Sequence, residues 1–223
     1  MPKRIVLIHA MRLAIQPILD AFREGWPEPE LSNLLDESLV PNLQRDGRLT
    51  PQIVQQVCDL AIHAARSGAD GILFTCSAFT PAMDVAKGLL SIPVLKPDEA
   101  MIAAALEIGK RIGVIATMPP TVAAAEAQLR AGAAARGAPV DVVSAAVPEG
   151  LKALDAGDPA THDRLIAESA ARLNGRVDVL CLAQFSMARA RKAVEAQVPI
   201  PVLTSPAAAV TRLKALLKGS ASA

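Results

Sequence analysis

Aromatic side chains are scarce in this sequence: they make up 2% of the 223 residues, and tyrosine is absent. The formal net charge is only +1, and basic residues form no run. Without a basic stripe or aromatic stacking surfaces, the sequence does not indicate a nucleic-acid partner. A core this poor in rings must be built from Ala, Val, Ile and Leu, a composition typical of helices packed on a parallel sheet.

Cysteine is also rare, with three residues and no Cys-x-x-Cys pair or Cys/His cluster. This pattern gives neither a disulfide framework nor a zinc site, so we expect no bound metal and a reducing, cytoplasmic location. Long apolar runs are missing as well. The first apolar run ends near Ile8. It is too short for a signal peptide or a membrane span, so no membrane partner is expected.

The apolar runs that do occur alternate with helix-forming segments. This alternation predicts an α/β fold with doubly wound parallel sheets. Strands are predicted over residues 4–8, 31–39, 72–74, 92–95, 111–116, 140–143, 177–182 and 201–203. Helices are predicted over residues 14–23, 50–67, 97–108, 121–136, 148–156, 159–174, 187–197 and 206–218, with one more starting at Thr80.

The two halves of the chain repeat each other. KRIVLIHAM at 3–11 matches KRIGVIATM at 110–118, an offset of 107 residues. Asp70 matches Asp178, and IPVL at 92–95 recurs at 200–203, both at an offset of 108. Three blocks in register indicate a duplicated half. We therefore expect two similar α/β lobes facing each other across a cleft, the first formed by 1–96 with 206–223 and the second by 97–205.

One stretch, Gly68 to Asp84, combines a turn, a short apolar run, a Thr-Cys-Ser break and a Thr-Pro helix start. Cys76 therefore lies just past a buried strand and ahead of a helix N-terminus that Thr80 is predicted to cap. In α/β sheets ligands bind at this edge, and a helix N-terminus favours a thiolate. The alternative is that Cys76 is a small buried hydrophobe.

The repeat offset also predicts which residues occupy matching positions in the other lobe. Cys76 corresponds to Gln184, and Ala78 corresponds to Ser186. At the 107 offset, Thr117 corresponds to Ala10. The other two cysteines, Cys58 and Cys181, fall on a helix face and in mid-strand, so both are predicted to lie in the core. His63 and His162, on helices, are predicted to lie at the surface.

At these motifs the chain resembles the aspartate/glutamate/hydantoin racemase superfamily over essentially its whole length. The resemblance is carried by ILFTCSAF, IPVLKPDEAM, RIGVIATMPPT, DVLCLAQFSMA and IPVLTSPAAAV. It implies two Rossmann-like lobes related by pseudo-twofold symmetry, an active site in the inter-lobe cleft, no cofactor, and a homo-oligomer. Racemases of the family use one cysteine per lobe: one thiolate removes the α-proton of a small carboxylate and the other thiol returns a proton.

The family's first cysteine maps onto Cys76, and its second maps onto Gln184, whose amide does not exchange protons as a thiol does. Single-cysteine relatives include the arylmalonate decarboxylases, which retain the cysteine of the second lobe. Three functions follow as alternatives. The first is a cofactor-independent racemase or isomerase, the second is a single-cysteine lyase or decarboxylase, and the third is a non-catalytic binder of small anions.

The candidate catalytic residues are Cys76 as acid and base, His9 as a group that orients or deprotonates it, and Gln184 as a donor to a substrate oxygen or enolate. His9 has an alternative role as a packed histidine bonded to backbone. The candidate substrate-binding residues share a hydroxyl group at a strand end or helix start, where a cap is the commoner explanation for each one alone. They are Ser77, Thr80, Thr117, Thr121 and Ser186.

Overall fold

A computed structural model describes residues 2–219. The chain divides into two compact units, Met1–Pro97 with Ala209–Ala223 (unit 1) and Asp98–Ala208 (unit 2). Each unit contains one four-stranded parallel sheet, so the predicted α/β fold class is confirmed. Within the described range, no helix has the length and apolar character that crossing a membrane requires.

Unit 1 has the strand order β2-β1-β3-β4. Its strands are β1 (Arg4–His9), β2 (Glu30–Leu35), β3 (Gly71–Phe74) and β4 (Val94–Leu95). The helices that begin in this half are α1 (Ile15–Gly25), α2 (Leu39–Asp46), α3 (Pro51–Arg66) and α4 (Thr80–Leu89). All four residues of β3 are buried, as expected for a central strand covered on both faces.

Unit 2 has the matching order β6-β5-β7-β8. Its strands are β5 (Arg111–Ala116), β6 (Asp141–Ala146), β7 (Val179–Leu182) and β8 (Val202–Thr204). The remaining helices are α5 (Glu99–Ile108), α6 (Pro119–Ala135), α7 (Pro148–Asp155), α8 (Pro159–Ala171), α9 (Arg191–Glu195) and α10 (Ser205–Gly219). The last of these begins in unit 2 and continues into unit 1.

The duplication inferred from the sequence is visible in the equivalent aspartates. Asp70 accepts a hydrogen bond of 2.8 Å from the backbone N–H of Arg4, the first residue of β1. Asp178 accepts one of 2.9 Å from the N–H of Arg111, the first residue of β5. Each carboxylate thus satisfies the start of the strand that neighbours its own, and the same strand order is built twice.

One predicted strand, over residues 31–39, is wrong in its second half. β2 ends at Leu35, and the following turn is closed by Asp36, whose carboxylate accepts hydrogen bonds from the backbone N–H of Ser38 (2.9 Å) and from its hydroxyl (2.6 Å). The chain then enters α2, where Leu39 is buried in the core of unit 1. Asp and Ser side chains that bond nearby backbone favour turns and helix starts over strands.

Candidate functional site

The thiol of Cys76 lies just beyond the carboxyl end of β3. Its backbone is extended, with φ −132° and ψ 111°, and a short 3-10 turn over Ser77–Phe79 follows before α4. The side chain is half-buried and packs against the apolar core of unit 1. At the carboxyl edge of a parallel sheet, this is the position at which α/β proteins bind ligands.

The other two cysteines are buried in the core, as predicted. Burial raises the pKa of the Cys58 thiol, and the charge of Asp59 adds to this effect. Burial also raises the pKa of Cys181 to about 12, with a smaller contribution from Asp98. A thiol whose pKa is raised by burial is a poor acid or base near neutral pH. Of the three cysteines, all within the described chain, Cys76 alone is partly exposed.

His9 contacts two neighbouring side chains through its two ring nitrogens. The ring is fully buried, with Nδ1 2.9 Å from Thr75 Oγ1 and Nε2 2.9 Å from Asn33 Oδ1. Both ring nitrogens are therefore occupied, because the side chain of His9 reaches across to the neighbouring strands β2 and β3. The partners of the buried ring are thus side chains and not backbone, as the packed-histidine alternative had it.

Desolvation governs the charge of His9. Burial lowers the pKa of His9 below its usual value, and the hydrogen bond to Asn33 offsets part of this effect. The neutral ring carries its proton on Nε2 when Asn33 Oδ1 is the acceptor, and Nδ1 then faces the Thr75 hydroxyl. Because Thr75 directly precedes Cys76, the buried set of Asn33, His9 and Thr75 fixes the chain from which the thiol projects. Sequence reasoning found neither Asn33 nor Thr75.

Thr80 is not the cap of α4, contrary to the prediction. The 3-10 turn brings Phe79 to the capping position and Thr80 into the first turn, where its hydroxyl donates to the carbonyl of Ser77 at 2.8 Å. The hydroxyl is therefore engaged in closing the turn after the thiol. Ser77 itself is half-buried beside Cys76.

In unit 2 the structure brings two predicted site residues into direct contact. Gln184 follows β7 as Cys76 follows β3, and its Oε1 accepts hydrogen bonds from the backbone N–H of Thr117 (2.5 Å) and from its hydroxyl (2.7 Å). A backbone N–H only donates, so the atom facing it must be the amide oxygen. The amide is therefore locked, and its NH2 group lies on the side away from Thr117.

The two remaining predicted substrate-binding residues, Thr121 and Ser186, lie in the first turns that follow strands of unit 2. Thr121 is half-buried in the first turn of α6, where its N–H donates to the carbonyl of Met118 at 3.0 Å. Ser186 is half-buried in the 3-10 turn Phe185–Ala190 that follows Gln184. Neither contributes to the Thr117–Gln184 contact. Across residues 2–219, no three His, Cys, Asp or Glu side chains cluster closely enough to hold a metal ion.

His63 is exposed as predicted, but His162 is not at the surface: its side chain is fully buried. It lies on α8, four residues before Ile166 and eight before Ala170, which are both buried. A spacing of four residues places all three on one helix face. This periodicity was the signal in the sequence that His162 faces inward.

Two copies of a parallel α/β unit, one with a strand-end thiol and one with a strand-end amide, define a duplicated α/β protein. The family model described as Asp/Glu/hydantoin racemase matches residues 18–213. The chain therefore belongs to the Asp/Glu/hydantoin racemase family, which confirms the resemblance seen in the motifs. No curated protein sequence matches the chain.

Several solved structures share this fold. Allantoin racemase from Klebsiella pneumoniae is 19% identical, with a TM-score of 0.77 over 98% of this chain and 89% of that one. Glutamate racemase from Francisella tularensis in complex with D-glutamate is 14% identical, with a TM-score of 0.72 over 98% and 82%. Glutamate racemase from Aquifex pyrophilus is 23% identical, with a TM-score of 0.64 over 95% and 83%. At these identities the similarity establishes the fold alone.

Proposed function

We propose that this protein is a cofactor-independent enzyme that transfers a proton at the α-carbon of a small carboxylate or a related compound such as a hydantoin. Cys76 is the acid and base group. The observation that carries the proposal is the position of this thiol: half-buried at the carboxyl end of β3, while both other cysteines are core residues. Membership of a racemase family supports the same class of chemistry.

The proposed reaction moves one proton from the α-carbon and leaves one electron pair on the substrate. The thiolate of Cys76 takes the α-proton, so a C–H bond breaks and an S–H bond forms. The electron pair is delocalised onto the neighbouring carbonyl or carboxylate oxygen as an enolate. A proton then returns to the α-carbon, so the C–H bond forms again and the enolate charge is lost. Return from the Cys76 thiol restores the original configuration, and return from a donor on the opposite face inverts it. General acid–base catalysis of this kind contributes roughly 10²- to 10⁴-fold to a rate.

Gln184 has a different role, because an amide neither takes nor gives a proton under these conditions. Oε1 is held by Thr117, so the group that Gln184 offers to a substrate is its NH2, a hydrogen-bond donor. Such a fixed neutral donor stabilises the oxygen on which charge develops in the transition state. We assign Gln184 to a substrate oxygen, and Thr117 to the orientation of Gln184.

The amide at position 184 also favours a second candidate. A single thiol suffices to protonate a carbanion left by loss of carbon dioxide, so a lyase or decarboxylase is the alternative. A third possibility is a protein that binds small anions without turnover.

Proton exchange in D2O separates these functions. The test incubates the protein with allantoin, a 5-substituted hydantoin, aspartate, glutamate and an arylmalonate, and follows the α-carbon by NMR. Deuterium incorporation without carbon loss supports racemisation, and release of carbon dioxide supports the decarboxylase. Cys76→Ala should abolish either activity while Cys58→Ala retains it. Ligand binding without turnover by the wild type would contradict the proposal and favour the anion binder.

A further inference from the structure

His162 has the one buried side-chain nitrogen or oxygen in the described chain that lacks a hydrogen-bond partner, its Nε2 atom. An unpaired buried polar atom costs about 1–3 kcal/mol. Native proteins pair more than about nine in ten of their buried polar groups, so an exception calls for an explanation. The other ring nitrogen, Nδ1, does have a hydrogen-bond partner, so only Nε2 needs an explanation.

The state of the ring follows from its other nitrogen. His162 Nδ1 lies 2.7 Å from Asp163 Oδ1, and Arg189 Nε donates to the same oxygen at 2.9 Å. A carboxylate held by Arg189 only accepts, so Nδ1 carries a proton, and whenever the ring is neutral Nε2 is a bare lone pair. A base oriented by a third group in this way is the arrangement that activates histidine in enzymes.

The ring lies at the same edge of the unit 2 sheet as Gln184. α7 and α8 together connect β6 to β7, and the C-terminus of α8 leads to the amino end of β7. The first turn of α8, which contains His162, therefore lies toward the carboxyl end of the strands. Arg189 belongs to the 3-10 turn that begins directly after Gln184. Gly150 on α7 separates the ring from Thr117: a Cβ at that position would lie 3.4 Å from His162 Cδ2 and 3.4 Å from Thr117 Cγ2.

We propose that His162 is a second proton-transfer group of this enzyme, acting at the edge of unit 2 where Gln184 offers no acid or base. This inference rests on the proposed function. The ring is buried, so the proton reaches it through one water molecule bound at Nε2. The α C–H bond of the substrate breaks and a new O–H bond forms on the water. At the same time the O–H bond of the water that is directed at the ring breaks, and an Nε2–H bond forms. Asp163 stabilises the resulting imidazolium, and the reverse steps return the proton.

A histidine that serves only for packing would not need these polar partners. A ring that serves only to fill space has no use for an oriented carboxylate and an arginine, and it would leave the cost of the unpaired nitrogen without compensation. Gly150 supports the proposal because a glycine inside a helix costs roughly 0.5–1 kcal/mol relative to alanine. Its lack of a side chain leaves room beside the edge of the ring.

The test compares His162→Gln with His63→Gln, which changes an exposed histidine of α3. Deuterium exchange at the α-carbon is measured from each enantiomer separately. We expect His162→Gln to lower kcat by at least about 100-fold for one enantiomer, with KM within about threefold, and His63→Gln to match the wild type. A purely structural defect would lower both enantiomers together.

Gly150→Ala is the second variant, since its methyl group makes only contacts of 3.4 Å and alanine favours a helix. It should fold at least as well as the wild type and still lower the exchange rate about tenfold or more. Exchange that survives in both His162→Gln and Gly150→Ala overturns this inference and leaves the proposed function intact. A wild type that exchanges no compound of the panel overturns both.

Discussion

Ser205 and Asp98 share a buried hydrogen bond of 2.6 Å from Ser205 Oγ to Asp98 Oδ1, although they are 107 residues apart in the sequence. Their exposed fractions are 0% and 5%. Burial raises the pKa of Asp98 to about 6, and the hydrogen bond from Ser205 offsets part of this increase. Folding of unit 2 therefore favours the protonated form of this carboxyl group.

The first prediction is that Asp98 makes the protein less stable as the pH rises. The folded-state pKa of about 6 lies above the model value of 3.8, so the stabilising contribution is complete below 3.8 and is lost as the pH passes about 6. The difference corresponds to about 3 kcal/mol. Asp98→Asn removes the titrating proton and keeps an acceptor for Ser205. The free energy of unfolding of this variant relative to the wild type should rise by most of that amount between pH 4 and pH 8.

Urea unfolding at the two pH values measures this effect. Asp59→Asn, which changes an exposed carboxyl group, is the matched control and should follow the wild type. A difference between Asp98→Asn and wild type that is the same at both pH values would contradict the prediction.

The second prediction concerns thiol reactivity. Cys76 is half-buried, whereas burial raises the pKa of both Cys58 and Cys181 and removes them from solvent. Iodoacetamide should therefore modify the native protein at a single cysteine, and Cys76→Ala should abolish native labelling. Mass spectrometry after tryptic digestion identifies the site. Labelling of Cys58 or Cys181 under native conditions, at a rate near that of Cys76, would show that the core opens readily.

The sequence predicted most of the sheets because their central strands are continuous apolar runs, such as β5, whose bounds Arg111–Ala116 agree with the prediction. The internal repeat predicted that the two sheets would have the same architecture. α2 was missed because Leu39 and its neighbours are apolar enough for a strand, and only the hydrogen bonds of Asp36 reveal the turn. Side-chain pairing outside the strands has no comparable sequence signal.

The candidate site was predictable in part for the same reason. The end of an apolar strand locates Cys76 and Gln184, and the repeat shows that they are equivalent. Their partners are set by three-dimensional packing: the contact between Gln184 and Thr117 spans 67 residues, and the one between His9 and Thr75 spans 66. Local propensities carry no information about such pairs, so the roles of Asn33 and Thr75 emerge only from the structure.

The third prediction tests the buried set behind the thiol. Thr75→Val keeps the size and β-branching of the side chain but removes the hydroxyl that faces His9 Nδ1. The ring nitrogen then has no partner in the core, and we expect the free energy of unfolding to fall by about 1–3 kcal/mol. Activity should also fall, since the chain that carries Cys76 loses an anchor. Thr211→Val is the control, at an exposed position on α10 that is no part of the candidate site.

Urea unfolding gives the stability difference, and proton exchange in D2O gives the activity. If Thr75→Val were as stable as Thr211→Val, the hydrogen bond between His9 and Thr75 would make no net contribution to folding.

The last prediction concerns the donor at position 184. Gln184→Glu has nearly the same shape, and one carboxylate oxygen still accepts both hydrogen bonds from Thr117. The NH2 group, however, becomes a second negatively charged oxygen that repels an anionic substrate oxygen instead of donating to it. We expect kcat/KM for a carboxylate substrate to fall about 100-fold or more, corresponding to roughly 3 kcal/mol for a lost charge-assisted hydrogen bond. Gln197→Glu, which adds the same charge at an exposed position of unit 2, should leave kcat/KM unchanged. Equal activities for the two variants would show that the amide of Gln184 does not touch the substrate, and that its contact with Thr117 serves only to hold the strand end.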